Sequence, residues 1–70
     1  MDTIDLKQRL AENVRAERTH RGLTKAAFCL EAQISRPLLD KVEGGDANVT
    51  LERLGRMAGA LGLEAWQLLK

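Results

Sequence analysis

Seventy residues suffice for one domain, taken here as residues 1–70, and a chain this short buries only about 60% of its unfolded surface. Its hydrophobic 44% is carried by Leu, Ala, Val and Ile rather than aromatics, and its charged 30% is intermixed along the chain, which suits a globular surface. A net charge of +1 with no basic block gives no electrostatic argument for nucleic acid, and no apolar run approaches the roughly 18 residues of a membrane span.

The first periodic segment has Leu6, Leu10 and Val14 at i, i+4 and i+8, with Arg18 on the same stripe. Arg18, His20 and Arg21 suit a helix C-terminus and Gly22 suits its stop, so a first helix is predicted over about Asp5–Arg21. The acidic-polar start Met1-Asp2-Thr3 does not resemble a signal peptide.

One device then recurs three times: Leu23-Thr24 with Phe28, Ile34-Ser35 with Leu39, and Val49-Thr50 with Leu54. Each is an apolar residue, a hydroxyl, and an apolar residue four positions after the hydroxyl. That is the pattern of an N-cap with its hydrophobic staple: the hydroxyl oxygen accepts an orphan backbone N–H while the flanking apolar pair packs. Helices are therefore predicted at about 25–31, 36–43 and 51–61. Gly62 stops the last of these, and a short fifth helix is expected over Leu63–Leu69, with Ala65, Leu68 and Leu69 inward. No segment reads as a strand. Between the second and third helices the turn is only about three or four residues, short enough to fix them at a steep angle.

These stretches, taken together, resemble the helix-turn-helix domains of the phage repressor and Cro class, the Xre-type regulators. The resemblance runs from about Leu10 to Leu69. It is carried by Arg18-x-x-x-Gly22-Leu23-Thr24, Ser35-Arg36, Leu39-x-x-Val42-Glu43-x-Gly45, and Ala58-x-Ala60-Leu61-Gly62-Leu63 followed by Leu68-Leu69. It implies an all-α, compact five-helix bundle of the lambda-repressor-like type, with the motif at about residues 24–44 and the third helix as recognition helix. By position, the implied DNA contacts are Thr24 and Lys25, then Ser35, Arg36, Pro37, Asp40 and Lys41. It also implies a structural ion pair between Arg18 and Glu43, which sit on stripes expected to face inward; the bland alternative is two exposed charges.

Several positions depart from the family pattern. Lys25 stands where Gln is common, and Gln33 stands where the turn has Gly, at a cost of roughly 1–2 kcal/mol if it is left-handed. Pro37 removes a donor from a position that often reads bases. The loop after the third helix, Gly44-Gly45-Asp46-Ala47, lacks the family's basic residues. Asp40 faces the expected phosphate surface, where it is repelled unless it accepts from a cytosine amino group. These departures bear on the strength of DNA binding rather than on the fold.

For other residues the bland readings stand beside the functional ones. On spacing alone, Arg36 and Lys41 are a solvated face. Cys29, next to Phe28, reads as a small packed side chain more readily than as a redox thiol, and His20 reads as exposed. One Cys and one His make neither a disulfide nor a metal site, and nothing assembles a nucleophile with an oriented base; no metal, cofactor or enzymatic activity is expected. Trp66 either folds back on the bundle edge or builds a self-association surface with Leu63 and Leu69. The sequence thus reads as a cytoplasmic, sequence-specific binder of double-stranded DNA acting as a homodimer in transcriptional regulation. The alternative is a protein-interaction module, such as an antitoxin or a docking domain, with a protein partner.

Overall fold

Asp2 opens the first helix two residues earlier than the predicted start at Asp5, because its carboxylate accepts the backbone N–H of Asp5 at 2.9 Å and caps a helix beginning at Thr3. The structure, a computed structural model, describes residues 2–70; Met1, the predicted start of the domain, lies outside them. The helices are α1 (Thr3–His20), α2 (Lys25–Ala32), α3 (Arg36–Glu43) and α4 (Leu51–Ala60), followed by a 3-10 helix at Ala65–Leu68. Among the described residues there is no strand.

The three hydroxyl caps form. Thr24 Oγ1 accepts from Ala27 N at 3.0 Å, Ser35 Oγ from Leu38 N at 3.2 Å, and Thr50 Oγ1 from Arg53 N at 3.1 Å. Phe28, Leu39 and Leu54, the three staple partners, are all buried. Gly22 takes φ +68°, the left-handed turn that ends α1, and the Leu23 amide closes back onto the Arg18 carbonyl at 3.0 Å.

The short fifth helix expected over Leu63–Leu69 is present only as a 3-10 turn, Ala65–Leu68. Leu63 belongs to the close of α4, its amide bonded to the Ala58 carbonyl at 2.8 Å, and Glu64 is the cap of the turn that follows, so the element begins at Ala65. The segment left after it, Glu64 to Leu69, bonds with the tighter i→i−3 pattern instead. Gln67 N reaches Glu64 O and Leu69 N reaches Trp66 O, both at 3.0 Å, while Gln67 Oε1 accepts from Glu64 N at 2.8 Å. The first stripe also needs correction: Leu10, Val14 and Arg18 are buried, but Leu6 remains 36% exposed.

The core gathers Leu10, Val14, Phe28, Leu39, Val42, Met57, Leu61 and Leu68 from every helix and from the turn. α1 packs on α3 and on the 3-10 turn, while α2 packs on both α3 and α4. Asn13 adds a polar tie that hydrophobic periodicity could not indicate, its Nδ2 donating to the carbonyls of Leu68 at 2.9 Å and Lys70 at 3.1 Å.

Candidate nucleic-acid interface

Two residues separate α2 from the cap of α3: Gln33 and Ile34, with Ser35 serving as that cap. Gln33 adopts φ 56°, ψ 47°, the only left-handed non-glycine among the described residues. Its amide and that of Ile34 both satisfy the Cys29 carbonyl, the latter at 3.1 Å, while Ile34 is buried as a staple. One left-handed residue thus turns the chain within a single step, and an apolar anchor locks the angle between the helices.

α3 lays Leu39, Val42 and Glu43 inward and leaves Ser35, Arg36, Pro37, Asp40 and Lys41 exposed. Pro37, in the first turn, removes an N–H that would have lacked an intrahelical partner anyway. Thr24 caps α2 and is exposed, and Lys25 is the first residue of that helix, half-buried beside α3. The seven residues implied as DNA contacts therefore lie on α3 with its cap and at the start of α2.

Asp40 is not left facing repulsion alone. Its Oδ1 accepts from Lys25 Nζ at 3.3 Å and from Arg36 Nε at 3.4 Å. The lysine hydrogen bond, chiefly, holds the Asp40 carboxyl below its ordinary value of 3.8. Two neighbouring cations thus serve this carboxylate, a pairing that the sequence reading of Asp40 did not anticipate.

Away from this surface, Arg18 meets Glu43 in a two-bond fork, Nε to Oε2 at 2.7 Å and Nη2 to Oε1 at 3.2 Å. The side chains are 11% and 4% exposed. Arg18 Nη1 also donates to the Leu23 carbonyl at 2.9 Å, so the pair joins α1 to the end of α3 and to the entry of α2. Arg15 was missed by sequence reasoning. Its Nη2 donates to the Glu43 carbonyl at 2.7 Å, with Nε 3.7 Å from Glu43 Oε1. Its spacing of three from Arg18 puts both on one helix face, and that was the available signal.

Cys29 is packed against the core, its Sγ 3.7 Å from the Ser35 carbonyl, and burial pushes the thiol pKa up. His20 is exposed. Trp66 is 62% exposed, with Lys70 Nζ 5.8 Å from its ring centre, whereas Leu63 and Leu69 are half-buried against the core. Among the described residues, no three His, Cys, Asp or Glu side chains could hold a metal together, and no helix is long and apolar enough to cross a membrane.

Comparison with known proteins agrees with this geometry. Residues 9–67 match the family of helix-turn-helix domains. The chain is 34% identical over 68 residues to a hypothetical transcription factor of Neisseria meningitidis serogroup B, covering 97% of this chain and 64% of the relative's length. A crystal structure of the hypothetical transcription factor NHTF from Neisseria superposes with a TM-score of 0.88 at 33% identity, over 100% of this chain and 80% of that one. The restriction-modification controller protein C.AhdI from Aeromonas hydrophila gives a TM-score of 0.83 at 27% identity, over 89% of this chain and 94% of that one.

Proposed function

The chain belongs to the family of helix-turn-helix domains, and from that premise we propose that residues 1–70 form one domain that binds double-stranded DNA sequence-specifically in the regulation of transcription. The observation that carries this reading is the exposed face of α3, which presents its cap Ser35, then Arg36 and Pro37 in the first turn and Lys41 in the last, with Lys25 at the start of α2 reaching Asp40 on the same face. In this motif the N-terminal part of the second helix meets base edges in the major groove while the first helix crosses the backbone. Arg36 is assigned to a base, since a guanidinium grips guanine O6 and N7 with two bonds, and Lys25 and Lys41 to phosphates. The mechanism is occupancy, with no chemistry on the DNA. A hypothetical transcription factor from Neisseria and a restriction-modification controller protein among the relatives support the reading.

Two copies would read a near-palindromic site, their recognition helices about 34 Å apart along successive major grooves. Exposed Trp66, with Leu63 and Leu69 beside it in sequence, is the surface assigned to that homodimer. A protein-interaction module is the second reading, favoured by one observation: Asp40 already neutralises part of the cationic surface that DNA would need. The deciding experiment selects bound sequences from a random duplex pool, then measures affinity for the selected and a scrambled duplex in wild type and Arg36→Ala. Arg36→Ala should cost about 1–3 kcal/mol on the selected site and relax preference at one base pair. Equally poor binding of both duplexes by both proteins at low salt would transfer the assignment to a protein partner.

A further inference from the structure

Arg36 and Asp40 lie one turn apart on α3, in an order that does little for the helix itself. A cation at the first helical position opposes the macrodipole, and Arg preceding an acid at i+4 is the weaker orientation of such a pair. No acidic residue offsets it in the first turn. Helix stability therefore gives a poor account of this contact.

Its geometry suggests another. A guanidinium has five N–H donors, and Asp40 engages the one on Nε, leaving the four on Nη1 and Nη2. That restricts the end presented outward to the paired terminal nitrogens and limits the rotamers of a long side chain before any ligand arrives. The same oxygen holds Lys25 from α2, and no hydrogen bond among the described residues reaches Asp40 Oδ2. The cluster carries two cations and one anion, so Asp40 also halves the local net charge available to any phosphate backbone.

We propose that Asp40 is a positioning residue that sets DNA specificity without touching DNA: it presents the Arg36 terminal nitrogens to a base and suppresses indiscriminate attraction to phosphates. This rests on the DNA-binding reading above. Arg36 grips the base, Lys25 keeps donors for a phosphate, and Asp40 ties both across the α2–α3 junction.

The test measures wild type, Asp40→Asn and Asp40→Glu on selected and scrambled duplexes, with urea unfolding alongside. Asp40→Asn should bind the scrambled duplex severalfold more tightly while its selected-to-scrambled ratio falls by about tenfold, a share of what one bidentate arginine contributes. Asp40→Glu, which keeps the anion within reach of both partners, should recover most of the ratio. Unfolding midpoints should stay close, since the cluster is solvent-exposed. A parallel rise on both duplexes with the ratio unchanged would reduce Asp40 to a simple counter-charge and overturn the proposal. A parallel loss on both, or no change on either, would overturn it too. A wild type that fails to distinguish the duplexes would instead bring down the DNA reading, and this inference with it.

Discussion

Arg18 and Glu43 share two hydrogen bonds, at 2.7 and 3.2 Å, across 25 residues of sequence, and both side chains are largely withdrawn from water. Removing one partner of such a pair strands the other, at about 3–5 kcal/mol for a buried site. The two removals are not equivalent here. Glu43→Ala leaves the Arg18 guanidinium with only the Leu23 carbonyl, whereas after Arg18→Ala the Glu43 carboxylate still has Arg15 at 3.7 Å. Glu43→Ala should therefore be the more damaging, close to the whole stability of about 3–5 kcal/mol that a domain this small commands. Urea titration of both variants checks this; losses under about 1 kcal/mol in each would show an exposed pair of little consequence.

Gln33 gives a prediction of opposite sign. Its φ of 56° costs a side-chain-bearing residue roughly 1–2 kcal/mol, a cost that glycine would relieve and then partly give back through the greater freedom of its unfolded chain. Gln33→Gly should raise stability by about 0.5–1 kcal/mol, or a few degrees in Tm, with no change in the far-UV spectrum. Thermal unfolding that shows no gain would mean that Gln33 is not strained in solution.

Most of the architecture was legible because its signals are local. A hydroxyl between two apolar residues at fixed spacing marks an N-cap wherever the helix goes next, and α2, α3 and α4 start at Lys25, Arg36 and Leu51 as those caps dictate. Helix ends were less legible. Asp2 lies outside the apolar periodicity, and Leu63 is apolar whether it begins a helix or closes one. The site divides in the same way. The exposure of Arg36 and Lys41 follows from α3 periodicity, but the convergence of Lys25 and Arg36 on one oxygen of Asp40 depends on an angle between helices that no single segment encodes.

That convergence has a pH consequence. The folded Asp40 carboxyl is a stronger acid than its unfolded counterpart, so its pairing is intact above the ordinary carboxylate value of 3.8 and is lost only as the pH falls through the depressed folded value. The cluster should thus be unchanged from neutrality down to about pH 5. Carboxyl-carbon NMR titration should place the Asp40 midpoint below 3.8, and Lys25→Ala should move it upward, because the lysine hydrogen bond is the largest cause. A midpoint indifferent to Lys25 would mean that the contact does not persist in solution.

Trp66 bears on assembly. At 62% exposure its ring contributes little to the monomer core, so Trp66→Ala should weaken self-association more than folding. Sedimentation across micromolar concentrations, set beside urea midpoints, separates the two effects. A wild type and mutant that are both monomeric at high micromolar concentration would remove Trp66 from the interface and leave pairing on adjacent half-sites of DNA as the remaining route to a dimer.

Lys41 should behave unlike Arg36. It is exposed in the last turn of α3, beyond the first-turn positions best placed for base edges, and it has no acidic partner among the described residues. An ammonium is a point charge that meets a phosphate of any sequence equally well. Lys41→Ala should therefore weaken binding to selected and scrambled duplexes alike, and flatten the dependence of log affinity on log salt by about 1. The wild-type slope should itself be shallow, because the net charge is only +1, the loop Gly44-Gly45-Asp46-Ala47 carries no cation, and Asp40 engages both Lys25 and Arg36. Affinity measured at several salt concentrations checks both statements. A steep wild-type slope would mean that phosphate contacts extend well beyond the starts of α2 and α3. A slope untouched by Lys41→Ala would take Lys41 off the backbone and return it to the solvated face that its spacing alone suggested.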